Sequence, residues 1–174
     1  MRPVISDLLH PSQHCGMPEN TIFDVVAAVR DAISYAETTK RPLRVLSLDL
    51  KEAFDRIFHT YLWTVMHSYG CREGIIDSIA MMYENATSVI QINSHLSTPI
   101  PNRCEVRQGC PLSMILFALC LNPLLYYLDE RLQGIRVTGR QRKKTVIAYA
   151  DDVSISVTSK EDVRIIREAI TCYE

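Results

Sequence analysis

The stretch Thr145 to Val157, Thr-Val-Ile-Ala-Tyr-Ala-Asp-Asp-Val-Ser-Ile-Ser-Val, constrains the fold more than any other part of the chain. Two β-prone arms flank the adjacent acids Asp151 and Asp152, with Tyr149 shortly ahead of them. Side chains alternate faces along a strand, so neighbouring aspartates serve one site only where the strand is interrupted, most simply at a hairpin tip. The pair is therefore expected in a turn. Adjacent carboxylates repel each other and gain from a cation beside them, as a magnesium site supplies. Asp-Asp is also an ordinary solvated turn sequence, and this segment by itself does not choose between the two.

The other segments have to decide. With 174 residues the chain is long enough for one domain, which at this size buries about 70% of its unfolded surface. No Pro/Gly/Ser-rich linker divides it. A content of 47% hydrophobic and 22% charged residues is globular, and a net charge of -1 argues against a nucleic-acid binder held by phosphate contacts alone. Any basic grip is local or elsewhere. The six cysteines, at 15, 71, 104, 110, 120 and 172, contain no Cys-x-x-Cys pair; they are expected as buried small hydrophobes of a reduced, intracellular chain. The opening residues lack the apolar core of a signal peptide, and Asp7 interrupts them. Met114 to Leu128 is apolar but broken by Asn122-Pro123. It is shorter than the roughly 20 residues a bilayer needs, so a buried core helix is expected and no membrane partner.

In chain order, residues 1 to 19 hold three prolines and form an irregular entry. His10, His14 and Cys15 have no second ligand pair at a useful spacing, so no zinc site is expected. From Thr21, the residues Ile22, Val25, Val26, Val29, Ile33 and Ala36 recur at helical spacing, with Thr21-x-x-Asp24 as a cap and an end near Thr38. Lys40-Arg41-Pro42 stops that helix, and Leu43 to Leu50 alternates as a half-buried strand carrying Asp49 at its far end. Lys51 to Ile57 then turns helical. Such a strand-to-helix corner lets Asp49 and Phe54 face one cleft, the acid holding a cation and the ring closing a wall. A helix cap and a core phenylalanine account for the same two residues equally simply, and Asp55 suits the first turn of a helix.

Tyr61 to Tyr69, closed by Gly70, and a stripe of Ile75, Ile76, Ile79, Met82 and Tyr83 predict two packing helices. Ser88 to Asn93 and Thr98 to Glu105 predict a hairpin whose prolines confine one arm to an edge. In Arg107-Gln-Gly-Cys-Pro-Leu-Ser113, a glycine precedes a proline that can take the first helical position. That exposes Gln108 and the loop backbone at a helix N-terminus, where a nucleotide or base pair can approach; a plain helix start reads the same way. The run Arg140 to Lys144 is a basic turn, suited to solvent, to a phosphate backbone or to nuclear import.

Taken together, residues 48–57, 107–113 and 149–152 resemble motifs A, B and C of reverse transcriptases in order, spacing and content. The wording Arg-Gln-Gly-Cys-Pro-Leu-Ser is most similar to non-LTR, LINE-type retrotransposons. His10-Pro-Ser-Gln-His and the following Gly-Met-Pro-Glu-Asn-Thr-Ile resemble the fingers segment ahead of motif A, so the likeness runs over essentially the whole chain.

The resemblance implies an α+β right-hand polymerase fold: palm over 43–174, part of the fingers over 1–42, and no thumb. It implies RNA-directed DNA synthesis at two Mg2+ ions held by Asp49, Asp151 and the Leu50 carbonyl, with Asp152 as the second acid of its motif. By the same resemblance Phe54 is the steric gate against a 2′-hydroxyl, Gln108 and Gly109 track the nascent base pair, and Arg107 and Tyr149 contact substrate. Implied partners are an RNA template, a DNA primer, dNTPs, and the endonuclease and thumb of a retrotransposon polyprotein that works in the nucleus. Glu19-Asn20 replaces the Gly-Arg usual before the fingers helix, and Ser113-Met114 replaces Ser-Pro. The basic fingers strands, motif D lysine, primer grip and thumb are expected beyond 1–174, so this stretch alone is expected to be inactive and poorly soluble. An RNA-dependent RNA polymerase would place an acid near Phe54 and favour Gly-Asp-Asp. A non-catalytic palm used as an RNA- or protein-binding scaffold is the alternative, and a hydrolase lacks a nucleophile.

Overall fold

The computed structural model describes residues 7–17, 20–102, 104–107, 109–135 and 145–173. The expectations for Glu19, Gln108 and the basic run 140–144 lie outside the described residues. Its elements are α1 (Ile22–Thr39), β1 (Arg44–Asp49), α2 (His59–Ser68), α3 (Glu73–Tyr83), the short strands β2 (Thr87–Ser88), β3 (Gln91–Ile92), β4 (His95–Leu96) and β5 (Ile100–Pro101), α4 (Ser113–Arg131), β6 (Val146–Tyr149), β7 (Asp152–Val157) and α5 (Lys160–Tyr173). This is the mixed helix-and-sheet class expected; α5 is an addition to the elements foreseen.

The central sheet is antiparallel in the order β1-β7-β6. Val153, Ile155 and Val157 of β7 and Val146 and Ala148 of β6 are buried and join one core with Leu116, Phe117, Leu121, Leu125 and Leu128 of α4. Each buried Leu or Phe contributes about 1.5–3 kcal/mol, so this seam holds the sheet to α4. Because α4 is buried on most of its faces, its apolar run is a core helix. Among the described residues no helix is long and apolar enough to cross a membrane.

Asn122 interrupts that run for a structural reason. Its Oδ1 accepts the His10 N–H at 2.8 Å and its Nδ2 donates to the Leu8 carbonyl at 2.8 Å, tying the entry segment to α4. Past that tie the segment runs beside β6. The Ala148 N–H donates to Ser12, the His14 N–H donates to Ala148, both at 2.8 Å, and Gln13 bridges Ala148 in parallel. An irregular entry thus extends the sheet by a few residues.

Several expectations are corrected. In α1 the buried face is Ala28, Ala32 and Ala36, while Ile22, Val26 and Ile33 are exposed, as is Phe23. Alanines let the helix lie close against β6 and Ile135, and the larger side chains face away. The Thr21–Asp24 cap does form, the Thr21 N–H donating to the Asp24 carboxylate at 2.6 Å. Hydrogen bonds from Thr21 hold that carboxyl below its usual range. β1 is an edge strand exposed along nearly its whole length, with only Leu48 packed inward. Residues 51–56 are turns with Glu52 at φ 53°, not a helix. The helix after the Gly109 loop starts at Ser113, past Pro111. Of the cysteines, Cys15 and Cys120 are buried but Cys172 is exposed, and all are free thiols.

Elsewhere the expectations hold. Gly70 takes φ 71° just past α2, and the hairpin forms as two short ladders, β3 with β4 and β2 with β5. Its tip, Asn93-Ser94, has φ 48° and 66°, the left-handed pair that two-residue hairpins favour.

Candidate active site

β6 and β7 meet through a loop of only Ala150 and Asp151, since Tyr149 already pairs with Asp152. Asp152 in turn pairs on its other side with Asp49 of β1. Tyr149, Asp152 and Asp49 therefore form one row across the end of the sheet. Directly opposed residues of antiparallel strands share a face with Cβ atoms about 4.5–5.5 Å apart. The row sets two carboxylates and a phenol side by side.

Alternation supplies the rest. Ser47 and Ser154 continue that face, while Leu48, Val153 and Ala148 turn to the opposite side and the core. Asp49 and Asp152 are exposed and Asp151 is half-buried at the tip. The turn expectation holds for Asp151 and is corrected for Asp152, which is the first residue of β7. A two-residue loop has room for only one of the two acids once Ala150 occupies it.

Opposed like charges disfavour the pairing unless something offsets them. Among the described residues no group of three or more His, Cys, Asp or Glu is gathered to hold a metal ion. What the sheet end presents is a carboxylate pair with a third acid on the adjoining tip. Magnesium suits such donors: it takes hard oxygens, often one or two carboxylates, and keeps positions for water and phosphate.

The neighbouring expectations are met to different degrees. Phe54 is half-buried, its ring stacked on Phe117 of α4 with centroids 4.5 Å apart and planes at 23°. Its carbonyl accepts the Val106 N–H at 2.7 Å, which ties the turn after β1 to the irregular segment leading to α4. Phe54 therefore joins the core, as one of its two readings had it, and leaves part of its surface free. Leu50 packs against the same core. Asp55 is exposed in the turn, and with no helix there its expected role at a first helical turn is withdrawn.

In the loop before α4, Gly109 has φ 84°, a conformation that favours glycine. The Ser113 hydroxyl donates to the Arg107 carbonyl and closes the loop. The Arg107 guanidinium lies 5.7 Å from the centroid of the Tyr83 ring, a cation–π distance. A hydrogen bond from the Leu112 backbone lowers the Cys110 thiol. Gln108 lies outside the described residues.

One side chain that the sequence reading passed over touches the hairpin directly. Gln13 is fully buried; its Oε1 accepts the Ala150 N–H at 3.1 Å and its Nε2 donates to the Ala150 carbonyl at 3.2 Å. Its partner is 137 positions away, a separation that no local pattern reveals.

Comparison with known proteins bears on the family and the fold. Residues 1–173 match the family described as Reverse transcriptase (RNA-dependent DNA polymerase). The chain is 34% identical over 173 residues to the transposon TX1 uncharacterized 149 kDa protein of Xenopus laevis, a match over 99% of this chain and 13% of that protein. It is 32% identical over 109 residues to the Pol polyprotein of the type-1 retrotransposable element R2 of Popillia japonica, covering 63% of this chain and 18% of that protein. The chain thus spans less than a fifth of the length of either relative. Among solved structures it is similar to apo telomerase from Candida tropicalis truncated from its C-terminal domain, at a TM-score of 0.67 and 16% identity over 98% of this chain and 36% of that one. That likeness concerns the fold, an α+β polymerase palm. With its motifs, fold and relatives in agreement, the chain belongs to the reverse transcriptase family.

Proposed function

We propose that this chain carries the catalytic carboxylates of an RNA-directed DNA polymerase of a non-LTR retrotransposon. The observation behind it is the pairing of Asp49 with Asp152 across the sheet end, with Asp151 on the adjoining tip. In this reading Asp49, Asp151, Asp152 and the Leu50 carbonyl would hold two Mg2+ ions. Bound there, magnesium would lower the pKa of the primer 3′-hydroxyl and neutralise charge on the triphosphate. The primer 3′-hydroxyl gives its proton to water, its oxygen bonds to the α-phosphorus, and the bond from that phosphorus to the pyrophosphate oxygen breaks, releasing pyrophosphate.

The chain's own residues position the reactants. Phe54, held by its stack on Phe117, presents its free edge to the sugar and rejects a 2′-hydroxyl. Gln108 and Gly109 follow the base pair, Tyr149 extends the acidic row toward the primer end, and Arg107 serves the substrate from the loop. Residues 43–174 act as palm and 1–42 as part of the fingers. Template RNA, primer DNA and dNTPs are the ligands, and the endonuclease and thumb of the full-length protein are its working partners in the nucleus.

The test uses the full-length protein with a primed RNA template, Mg2+ and dNTPs, compared with Asp151→Asn. Extension is expected from the parent alone; equal extension by both would remove Asp151 from the catalytic assignment, and extension by neither would leave the scaffold reading. Phe54→Ala is expected to admit ribonucleotides by roughly ten-fold or more, the scale set by removing one steric or polar discriminator. Unchanged sugar selection would remove Phe54 from the gate.

A further inference from the structure

The hairpin tip holds an ordinary residue in an unusual conformation. Ala150 has φ 55°, a region that disfavours residues with a Cβ and persists where the surroundings impose it. It is also nearly buried, and at a hairpin tip its N–H and carbonyl have no ladder partners. Gln13 meets both. The Ala150 N–H can donate only to Oε1, and the Ala150 carbonyl can accept only from Nε2, so one carboxamide orientation satisfies the pair.

The clamp is itself braced. Gln13 Oε1 also accepts the Cys15 N–H at 3.1 Å, and the Gln13 N–H donates to the His10 carbonyl at 2.8 Å. Ser12 and His14 bond Ala148 on either side. The consequence lies one atom further along the chain. The Ala150 carbonyl belongs to the same planar peptide as the Asp151 N–H. Fixing that carbonyl fixes the plane from which the Asp151 carboxylate projects.

We infer that Gln13 is a positioning residue for Asp151: its buried carboxamide locks the Ala150 peptides and so sets the tip acid against the Asp49–Asp152 pair. The inference rests on the polymerase reading for its effect on rate, but the lock itself is measurable without it. It also gives the entry segment a task in catalysis, although none of its side chains has to touch substrate.

The experiment uses the full-length protein and Gln13→Met, which keeps the volume and removes every side-chain hydrogen bond. Amide exchange across 145–152 is expected to speed up by roughly ten-fold or more with other segments unchanged, as for a local opening. Mn2+ affinity without substrate, followed by electron paramagnetic resonance, is expected to weaken by about ten-fold, the scale for loss of an outer-sphere partner. kcat is expected to fall by about ten- to a hundred-fold with the dNTP KM little changed, as for a small misplacement of a reacting group. Ile79→Ala, which trims the core at α3, is the comparison for general destabilisation and should leave Mn2+ affinity and hairpin exchange as they are. Should Gln13→Met fail to fold, Gln13→Asn is used: it keeps the amide, loses the reach, and is expected to shift the same readouts. Parental exchange and Mn2+ affinity in either variant, or shifts that Ile79→Ala reproduces, would overturn the inference. Failure of the parent to extend a primer would defeat the polymerase reading, while exchange and Mn2+ binding still judge the clamp.

Discussion

Replacing Asp152 by Asn should make the metal-free chain more stable while removing its response to magnesium. Asp49 and Asp152 are cross-strand partners, both exposed. Two unit charges about 5 Å apart in water repel by roughly 0.8 kcal/mol, and physiological salt reduces this to about 0.4 kcal/mol. The asparagine keeps the shape and removes the repulsion. For a domain of this size a gain of about 0.4–0.8 kcal/mol raises Tm by roughly 1–3 °C. Magnesium acts in the opposite sense on the parent: at about ten times its dissociation constant, an ion bound only by the folded state adds about 1.4 kcal/mol. Thermal melts of both proteins at low salt, in about 1 M salt, and with Mg2+ would separate these effects, because a Debye length of about 3 Å at 1 M salt erases the repulsion. A lower Tm for Asp152→Asn in low salt would refute the argument from the row of acids. So would an equal Mg2+ response in the two proteins, since the pair would then not be the site.

Two further outcomes follow from the same structure. Asp162 is almost fully buried and accepts the Thr158 N–H at 2.7 Å, the Thr158 hydroxyl at 2.9 Å and the Ser159 N–H at 2.9 Å. Burial alone would raise its carboxyl, but the hydrogen bonds from Thr158 and Ser159 bring it below the usual range. A depressed folded pKa contributes stability above the unfolded value, near pH 4, that is lost as pH falls through the folded one. Asp162→Ala should cost about 2–3 kcal/mol in urea melts at neutral pH, and the gap to the parent should close in acid; a gap that widens there would contradict the sign. For the thiols, burial pushes Cys120 up to about 12 and also raises Cys15, whereas Cys110 is lowered. Alkylation near pH 8 followed by mass spectrometry should label Cys110 and the exposed Cys172 well before Cys15 or Cys120; early labelling of Cys120 would mean that α4 is not packed as described.

What was legible in the sequence is what depends on neighbours along the chain. The β-prone arms around Ala150-Asp151 pair as a hairpin, Gly70 ends α2, and the apolar run broken by Asn122-Pro123 is a core helix. Periodicity finds elements but not always the face they bury. In α1 it selected the larger residues, whereas contact with β6 selected Ala28, Ala32 and Ala36, because a helix lies closest to a sheet where its side chains are small. Residues 51–56 carry helix-forming side chains, yet the Val106 bond to the Phe54 carbonyl and the stack on Phe117 hold them as turns. Both decisions were made by residues far away in sequence.

The site divides along the same line. The acids stand out through adjacency and through their position at the ends of β-prone runs, but a solvated turn or a helix cap uses the same residues, so it is the three motifs together that mark them. The pairing of Asp49 with Asp152 needs the register of β1 on β7, which follows only when Leu46 and Leu48 lie opposite Ile155 and Val153. Gln13 is harder still: an amide in an irregular segment has no periodicity, and its importance arises from the φ of Ala150. An alanine at a tight hairpin tip is the readable hint, because positive φ there suits Gly, Asn or Asp better than Ala, and here the alanine is also tied by Gln13. In this chain Ala150 bears the strain, Gln13 offsets it, and Asp151 is held where the arrangement can use it.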